Sequence, residues 1–272
     1  MYRVRMKTEG KALSALRFLL YFLLLPYAVI YVWDTSYNHL GSNYSRFISS
    51  GFRLAIIAVT FLYVRKYQPG VLQRFRNKVS SKNFLYASIP VILLCSPSWL
   101  TLKPAPGGAK VIFWGIFGAL LIGVTEELLS RGAAFAYLEK YGVWTAAVVS
   151  SIQFGLLHLT NFLWGGQSFW YTLAQMLSAF SIGLMFVGLM LYTRTIWFPI
   201  VFHALIDAPI LMKSKNDFQA IVTSHPNIGY TLAACGVYAT IAMIYISKAV
   251  KRDDAYDFAK LMAAPEQGPS VE

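Results

Sequence analysis

Eight apolar runs, several of them about as long as a bilayer is thick and the second shorter, dominate this chain. They fall at roughly 16–33, 50–65, 84–101, 111–136, 143–161, 169–191, 195–212 and 229–248. A soluble core has no use for so many segments of that length. A soluble domain also carries about 25% charged residues, whereas this one carries 13%, with 57% hydrophobic residues and a mean hydropathy of +0.51. The fold class that follows is all-α, a polytopic membrane helix bundle of about eight transmembrane helices. The residues between the runs are mostly short turns, so 1–272 reads as a single integral-membrane domain with no internal repeat. A polar tail closes it from about 249 to 272.

The basic start "MYRVRMKTEGKALSALRF" and the apolar stretch after it mimic a signal peptide. No small-residue cleavage site follows, so the stretch reads as the first membrane helix. Arg3, Arg5, Lys7, Lys11 and Arg17 precede or enter it against one acid, Glu9. The loop 65–82 holds six basic residues and no acid, and Lys248, Lys251 and Arg252 open the tail. An even number of spans with both termini cytoplasmic satisfies this bias. Lys213 and Lys215, after the seventh run, are its exception. The net charge of +12 is thus membrane topology, with lipid headgroups as the partners of the basic loops and no nucleic acid. The 65–82 loop reads as a solvated segment lying on headgroups. Cys95 and Cys235 sit inside apolar runs without a CxxC, which makes them core filling.

Of the twelve acidic residues, only Glu126, Glu127 and Asp207 fall inside predicted spans. An ionisable group at that depth costs about 2.5–3.5 kcal/mol on insertion scales, and such groups usually face the bundle interior and serve function. Glu127 and Arg131 lie four apart on one helix face, as a structural ion pair would. Glu126 sits about 100° further round and needs a partner on another helix. His158 and His203 lie inside spans, while His39 and His225 lie in loops. His158 and His203 are thus the candidates for that partner. By depth, Glu126 and His203 are near the middle of their spans and His158 is toward the end of its own. A tilt or a longer fourth span would bring them level.

A glutamate hydrogen-bonded to a histidine can take a proton from water. A second histidine can stabilise the oxyanion of a tetrahedral intermediate. Together they outline peptide hydrolysis by activated water, without a covalent intermediate. Ser130 and Ser151 are weaker candidates as nucleophiles, because neither sits in a GxSxG turn. Zinc is the competing reading, with His158, His203 and Glu126 as ligands, although the chain has no HExxH. Otherwise no cofactor is expected.

Three motifs occur in order, each inside a predicted span: "EELLSR" at 126–131, "FGLLH" at 154–158 and "HALID" at 203–207. The set resembles the CPBP family of intramembrane proteases, which includes the type II CAAX prenyl proteases and bacteriocin-processing (Abi) proteins. The resemblance covers about residues 111–212. It implies a roughly eight-span helical fold with the site in a cavity open to one face. It also implies that Glu126 and His158 activate water, that His203 and Asp207 stabilise the oxyanion, and that Glu127 and Arg131 orient the centre. Prenyl-protein proteases carry asparagine where this chain has Asp207. An ionised aspartate cannot donate to an oxyanion, so Asp207 either orients His203 or stays protonated.

The expected activity is therefore that of an intramembrane endopeptidase. Its expected substrate is a prenylated protein or a leader or sorting-type peptide, and its expected location is the plasma membrane of a prokaryote. The opposing reading is a non-catalytic transporter or a scaffold regulating a partner, its polar cluster holding an ion or proton. No inverted repeat supports transport. The sequence leaves the oligomeric state open.

Overall fold

The computed structural model describes Leu16 and residues 42–251. The predicted first span, 16–33, and the tail beyond 251 lie outside the described residues, as do both termini. The described part is mostly helical and contains no strand. Helix α1 runs Ser42–Tyr67, α2 Gly70–Arg76 and α3 Ser81–Leu100. Helix α4, Ala109–Glu127, continues without a break through a π-helical segment, Leu128–Ala134, into α5, Phe135–Leu138. Then follow α6 (Val143–Leu157), α7 (Leu159–Leu163), α8 (Phe169–Thr193), α9 (Trp197–Leu211), α10 (Lys215–Thr223) and α11 (Ile228–Lys251).

Among the described residues, six helices are long and apolar enough to cross a membrane: Phe47–Tyr67, Ser81–Leu100, Ala109–Tyr141, Val143–Leu163, Phe169–Thr193 and Ile228–Lys251. They coincide with six of the predicted runs, and the polytopic helical bundle read from the sequence is the observed fold. Predicted run 195–212 becomes the shorter apolar helix Trp197–Leu211. The fourth run is longer than expected. Its 33 residues span about 50 Å, well beyond the hydrocarbon thickness of about 30 Å, so it must tilt or emerge.

Helix α8 is the central post, packed on α6, α9 and α11. Its buried Met185, Phe186 and Leu189 meet Phe202 of α9, Ala147 of α6 and Ile246 of α11. Large apolar side chains ring the outside, among them Leu62, Leu85, Leu93, Phe113 and Leu232, as a lipid-facing surface requires. Cys95 is buried and Cys235 half-buried, both as free thiols.

Small residues decide where α4 and α9 touch. Gly115, Ala119, Gly123 and Glu127 form one row at intervals of four along α4 and its end. A Cβ on Gly123 would stand 2.7 Å from the Ile200 carbonyl oxygen of α9. Ala204 and Ala208 supply the facing small positions. Close backbone approach through small residues is how helices pack in lipid. Here that row ends in a carboxylate.

The basic loop 65–82 differs from the sequence expectation. It does not lie wholly on the surface, because Val71 and Arg74 of α2 are buried. Arg74 Nη2 pairs with Glu139 at 2.6 Å, and Arg74 Nη1 donates to the Arg131 carbonyl at 3.4 Å. Thr195 Oγ1 donates to the Arg74 carbonyl at 2.9 Å, and Trp197 Nε1 to that of Phe75 at 3.1 Å. Burying a guanidinium is tolerable because a carboxylate and a carbonyl take its protons. This loop closes one end of the bundle. At the other end Ala105 bonds to Met212 and Ser168 to Val222 through their backbones.

Candidate active site

The row that packs α4 on α9 also sets the first polar contact. Glu127 Oε1 accepts from His203 Nδ1 at 2.9 Å and from Arg131 Nη1 at 3.1 Å. Glu127 and Arg131 are fully buried and His203 nearly so. The predicted ion pair is present, and it reaches further than helix stability requires, because the same oxygen holds the histidine.

Arg131 lies in the π-helical segment, all seven residues of which are buried. Wide π turns recur where a helix must redirect side chains. The guanidinium stands over the Phe154 ring at 4.2 Å and near the Phe186 ring at 5.3 Å, a favourable arrangement away from water. Gly183 of α8 makes the room, since a Cβ there would come within 2.8 Å of Arg131 Nη2.

Glu126 points elsewhere, as the 100° offset requires. It is about a quarter exposed. Its Oε2 lies 3.7 Å from His203 Nε2 and its Oε1 3.9 Å from Arg53 Nη1 of α1. Asp207 Oδ2, one turn beyond His203, lies 3.4 Å from the same Nε2. His203 thus has a carboxylate on Nδ1 and two more around Nε2.

His158 is placed by the end of its helix. The His158 backbone N–H bonds to Gly155, tightening the last turn of α6. The Phe154 carbonyl, left over by that tightening, takes His158 Nδ1–H at 3.0 Å. The spacing in "FGLLH" is what allows this, since residues four apart share a face. With its proton on Nδ1, neutral His158 carries a bare Nε2. The expected direct partnership of Glu126 with His158 is replaced by shorter contacts to His203 and Arg53. Glu126 and His158 instead line one cavity together.

That cavity has a volume of about 270 Å³. Glu126, His158, His203 and Asp207 line it with Arg53, and apolar walls come from Phe52, Ile56 and Leu129. A polar cluster borders it: Gln175 Oε1 accepts from Asn161 Nδ2 at 2.9 Å and from Gln167 Nε2 at 2.8 Å. All six residues singled out in the sequence therefore gather at one place, with Glu127 and Arg131 behind the cavity wall. Three features escaped the sequence reading: the cation at Arg53, Phe154 as the shared neighbour of Arg131 and both histidines, and the amide cluster. Phe154 lies 5.2 Å from His158 and 5.7 Å from His203, edge to face. Arg53 lies inside the apolar run 50–65, and a cation within that run was the available signal.

Among the described residues no group of three or more His, Cys, Asp or Glu is arranged to hold a metal ion. Both nitrogens of His203 face carboxylates, and one of His158 is committed to a carbonyl, so His158, His203 and Glu126 share a cavity without converging on a common point.

No curated protein matches the chain. A family model described as Type II CAAX prenyl endopeptidase Rce1-like does match, over residues 108–209, from the first turn of α4 to Pro209 of α9. That interval contains all six residues singled out in the sequence, with Phe52, Arg53 and Ile56 of the cavity lying before it, and the match is consistent with the CPBP/CAAX protease family that the three motifs resemble.

Proposed function

We propose that this protein is an intramembrane endopeptidase that hydrolyses a peptide bond with water activated by Glu126 and His158. The observation that carries the reading is the opposite environment of the two histidines. His158 spends its proton on the Phe154 carbonyl and offers a bare Nε2, a proton acceptor. His203 meets carboxylates at both nitrogens and has use for a proton on each. Around the centre, three carboxylates face two guanidiniums, and a doubly protonated His203 balances the remaining negative charge.

In this reaction a water in the cavity gives a proton to the Glu126–His158 pair as its oxygen attacks the scissile carbonyl carbon. The carbonyl oxygen becomes an oxyanion and accepts from His203 Nε2–H, which Asp207 holds in the resting site. Collapse of the intermediate breaks the C–N bond, and the proton taken from water passes to the leaving amine. General base catalysis of this kind contributes about 10²–10⁴-fold, and one oxyanion donor about 10²–10³-fold. Glu127 and Arg131 fix the orientation of His203, as a buried aspartate does for other catalytic histidines. Asp207 belongs to this orienting set.

The substrate we infer is a short membrane-adjacent segment, either of a prenylated protein or of a leader or sorting-type peptide. The location we infer is the plasma membrane of a prokaryote. The cavity is too small for a folded domain, and its apolar walls suit a lipid-modified or apolar chain. Membrane-proximal peptides from a strain carrying Glu126→Gln are compared with those from wild type. The reading expects specific cleaved ends to vanish in the variant while the protein stays folded. Unchanged cleavage would overturn it.

A further inference from the structure

A second cavity, of about 330 Å³, adjoins the first and shares Ser49, Arg53, Ile122 and Leu211 with it. Lys213 and Lys215, just past α9, line it together with Val111 and Trp114 from the start of α4. These lysines are the pair that breaks the charge bias of the loops. Among the described residues, three cations thus border one pocket and no carboxylate lines it. The nearby Asp217 is engaged by Ser214, whose Oγ lies 2.6 Å from Oδ2.

Trp114 ties the pocket to an aromatic cluster beside it. Trp114 packs edge to face with Phe47 at 5.2 Å, Phe113 at 5.4 Å and Phe117 at 5.8 Å. Phe47 and Phe113 are more than half exposed on the lipid-facing side. The pocket lies where α4 begins and α9 ends, the level at which tryptophan and lysine mark a membrane interface. Cations beneath and hydrocarbon-facing rings alongside fit one kind of molecule: an amphiphile with an anionic head.

We propose that this pocket binds the phosphate headgroup of an anionic phospholipid, with an acyl chain laid along Phe47, Phe113 and Phe117. Arg53 and the two lysines supply the charge-assisted donors that a phosphate takes. Arg53 is free to turn toward it. Its contact with Glu126 is long, at 3.9 Å, and both side chains are partly exposed, so little is lost when the guanidinium moves. The site does not depend on peptide cleavage.

Purified full-length protein in detergent is titrated with phosphatidylglycerol or phosphatidylcholine, and retained lipid is counted by native mass spectrometry. Phosphatidylglycerol should bind at least about tenfold tighter than phosphatidylcholine. Each cation near an anionic lipid contributes about 1 kcal/mol, so Lys213→Gln/Lys215→Gln should weaken binding about 25-fold at 1.4 kcal/mol per decade. Arg53→Gln should weaken it too, and Lys213→Arg/Lys215→Arg should retain it. Lys248→Gln/Lys251→Gln, the same charge change at the opposite end of the bundle, should leave it unaltered. Equal loss in the two glutamine pairs would mean general surface attraction and overturn the site. Displacement of the lipid by millimolar inorganic phosphate would make it a soluble-anion site and overturn the lipid assignment. No loss in the Lys213/Lys215 pair would overturn both.

Discussion

Glu127 and His203, 76 positions apart in the chain, meet at 2.9 Å, the carboxylate fully buried and the histidine at the cavity wall. The carboxylate that holds the histidine also neutralises Arg131. Removing one partner of a buried ion pair strands the other charge, at a cost of about 3–5 kcal/mol. Glu127→Gln should therefore lower the thermal unfolding temperature in detergent sharply. Glu126→Gln, whose carboxylate is partly exposed, should lower it by less than a quarter as much. Equal losses would remove the distinction between an anchoring and a reacting carboxylate.

Phe154 carries the Arg131 guanidinium on its face at 4.2 Å. Leucine at that position keeps the bulk and loses the ring. Such a desolvated cation–π contact is worth about 2 kcal/mol, and Phe154→Leu should show that order of destabilisation by denaturant titration. Phe154→Tyr, which keeps the face, should lose much less. A leucine variant as stable as wild type would show that the ring is only filling space.

The α4–α9 contact should be intolerant of one methyl group. Gly123→Ala places a Cβ against the Ile200 carbonyl, and overpacking of this kind costs about 1–3 kcal/mol. It should also part Glu127 from His203 and reduce cleavage. Gly51→Ala meets nothing within 4 Å and should be neutral or slightly stabilising, because alanine favours a helix. Measured side by side, an equal effect at both positions would rule out the close approach as the cause.

The Arg74–Glu139 pair ties the 65–82 loop to the far end of the long helix. Arg74→Ala leaves Glu139 without its 2.6 Å partner and removes the Nη1 donor to the Arg131 carbonyl. Stability should fall by about 3 kcal/mol or more. The exchange Arg74→Glu/Glu139→Arg should recover part of that loss, which a double-mutant cycle reads directly. No recovery would assign the loop's attachment to its backbone hydrogen bonds alone.

Chelation distinguishes the proposed reaction from its zinc-dependent counterpart. With water activated by Glu126 and His158, a strong chelator should leave cleavage unchanged after prolonged dialysis. Activity lost on chelation and restored by zinc would select the metal mechanism instead.

Much of the frame was legible in the sequence because lipid imposes a coarse rule. A helix must be long and apolar to cross, and the runs at 84–101, 143–161, 169–191 and 229–248 reappear with ends shifted by only a few residues. The gathering of Glu126, His158, His203 and Asp207 was also foreseeable, since ionisable groups avoid lipid by facing inward. Pairing was not. Which carboxylate meets which histidine depends on helix rotation about its axis, and the row Gly115–Ala119–Gly123 fixes that rotation for α4. Read at intervals of four, that row points to Glu127 as the residue aimed at α9, a signal present in the sequence but unused. The 65–82 loop misled for a different reason. Six basic residues look solvated when counted together, yet one of them, Arg74, finds an acid that lies far off in sequence and close in space.

Helix α9 has 15 residues, about 22 Å of helix, where the hydrocarbon layer averages about 30 Å. Thinning is one way a bilayer meets so short an element. His203, the seventh residue, is then separated from the Leu211 end by about 12 Å of helix. The proposed reaction consumes water as a second substrate, and hydrocarbon is its main obstacle. The shortness of one helix thus shortens the diffusion path that this reactant must cover.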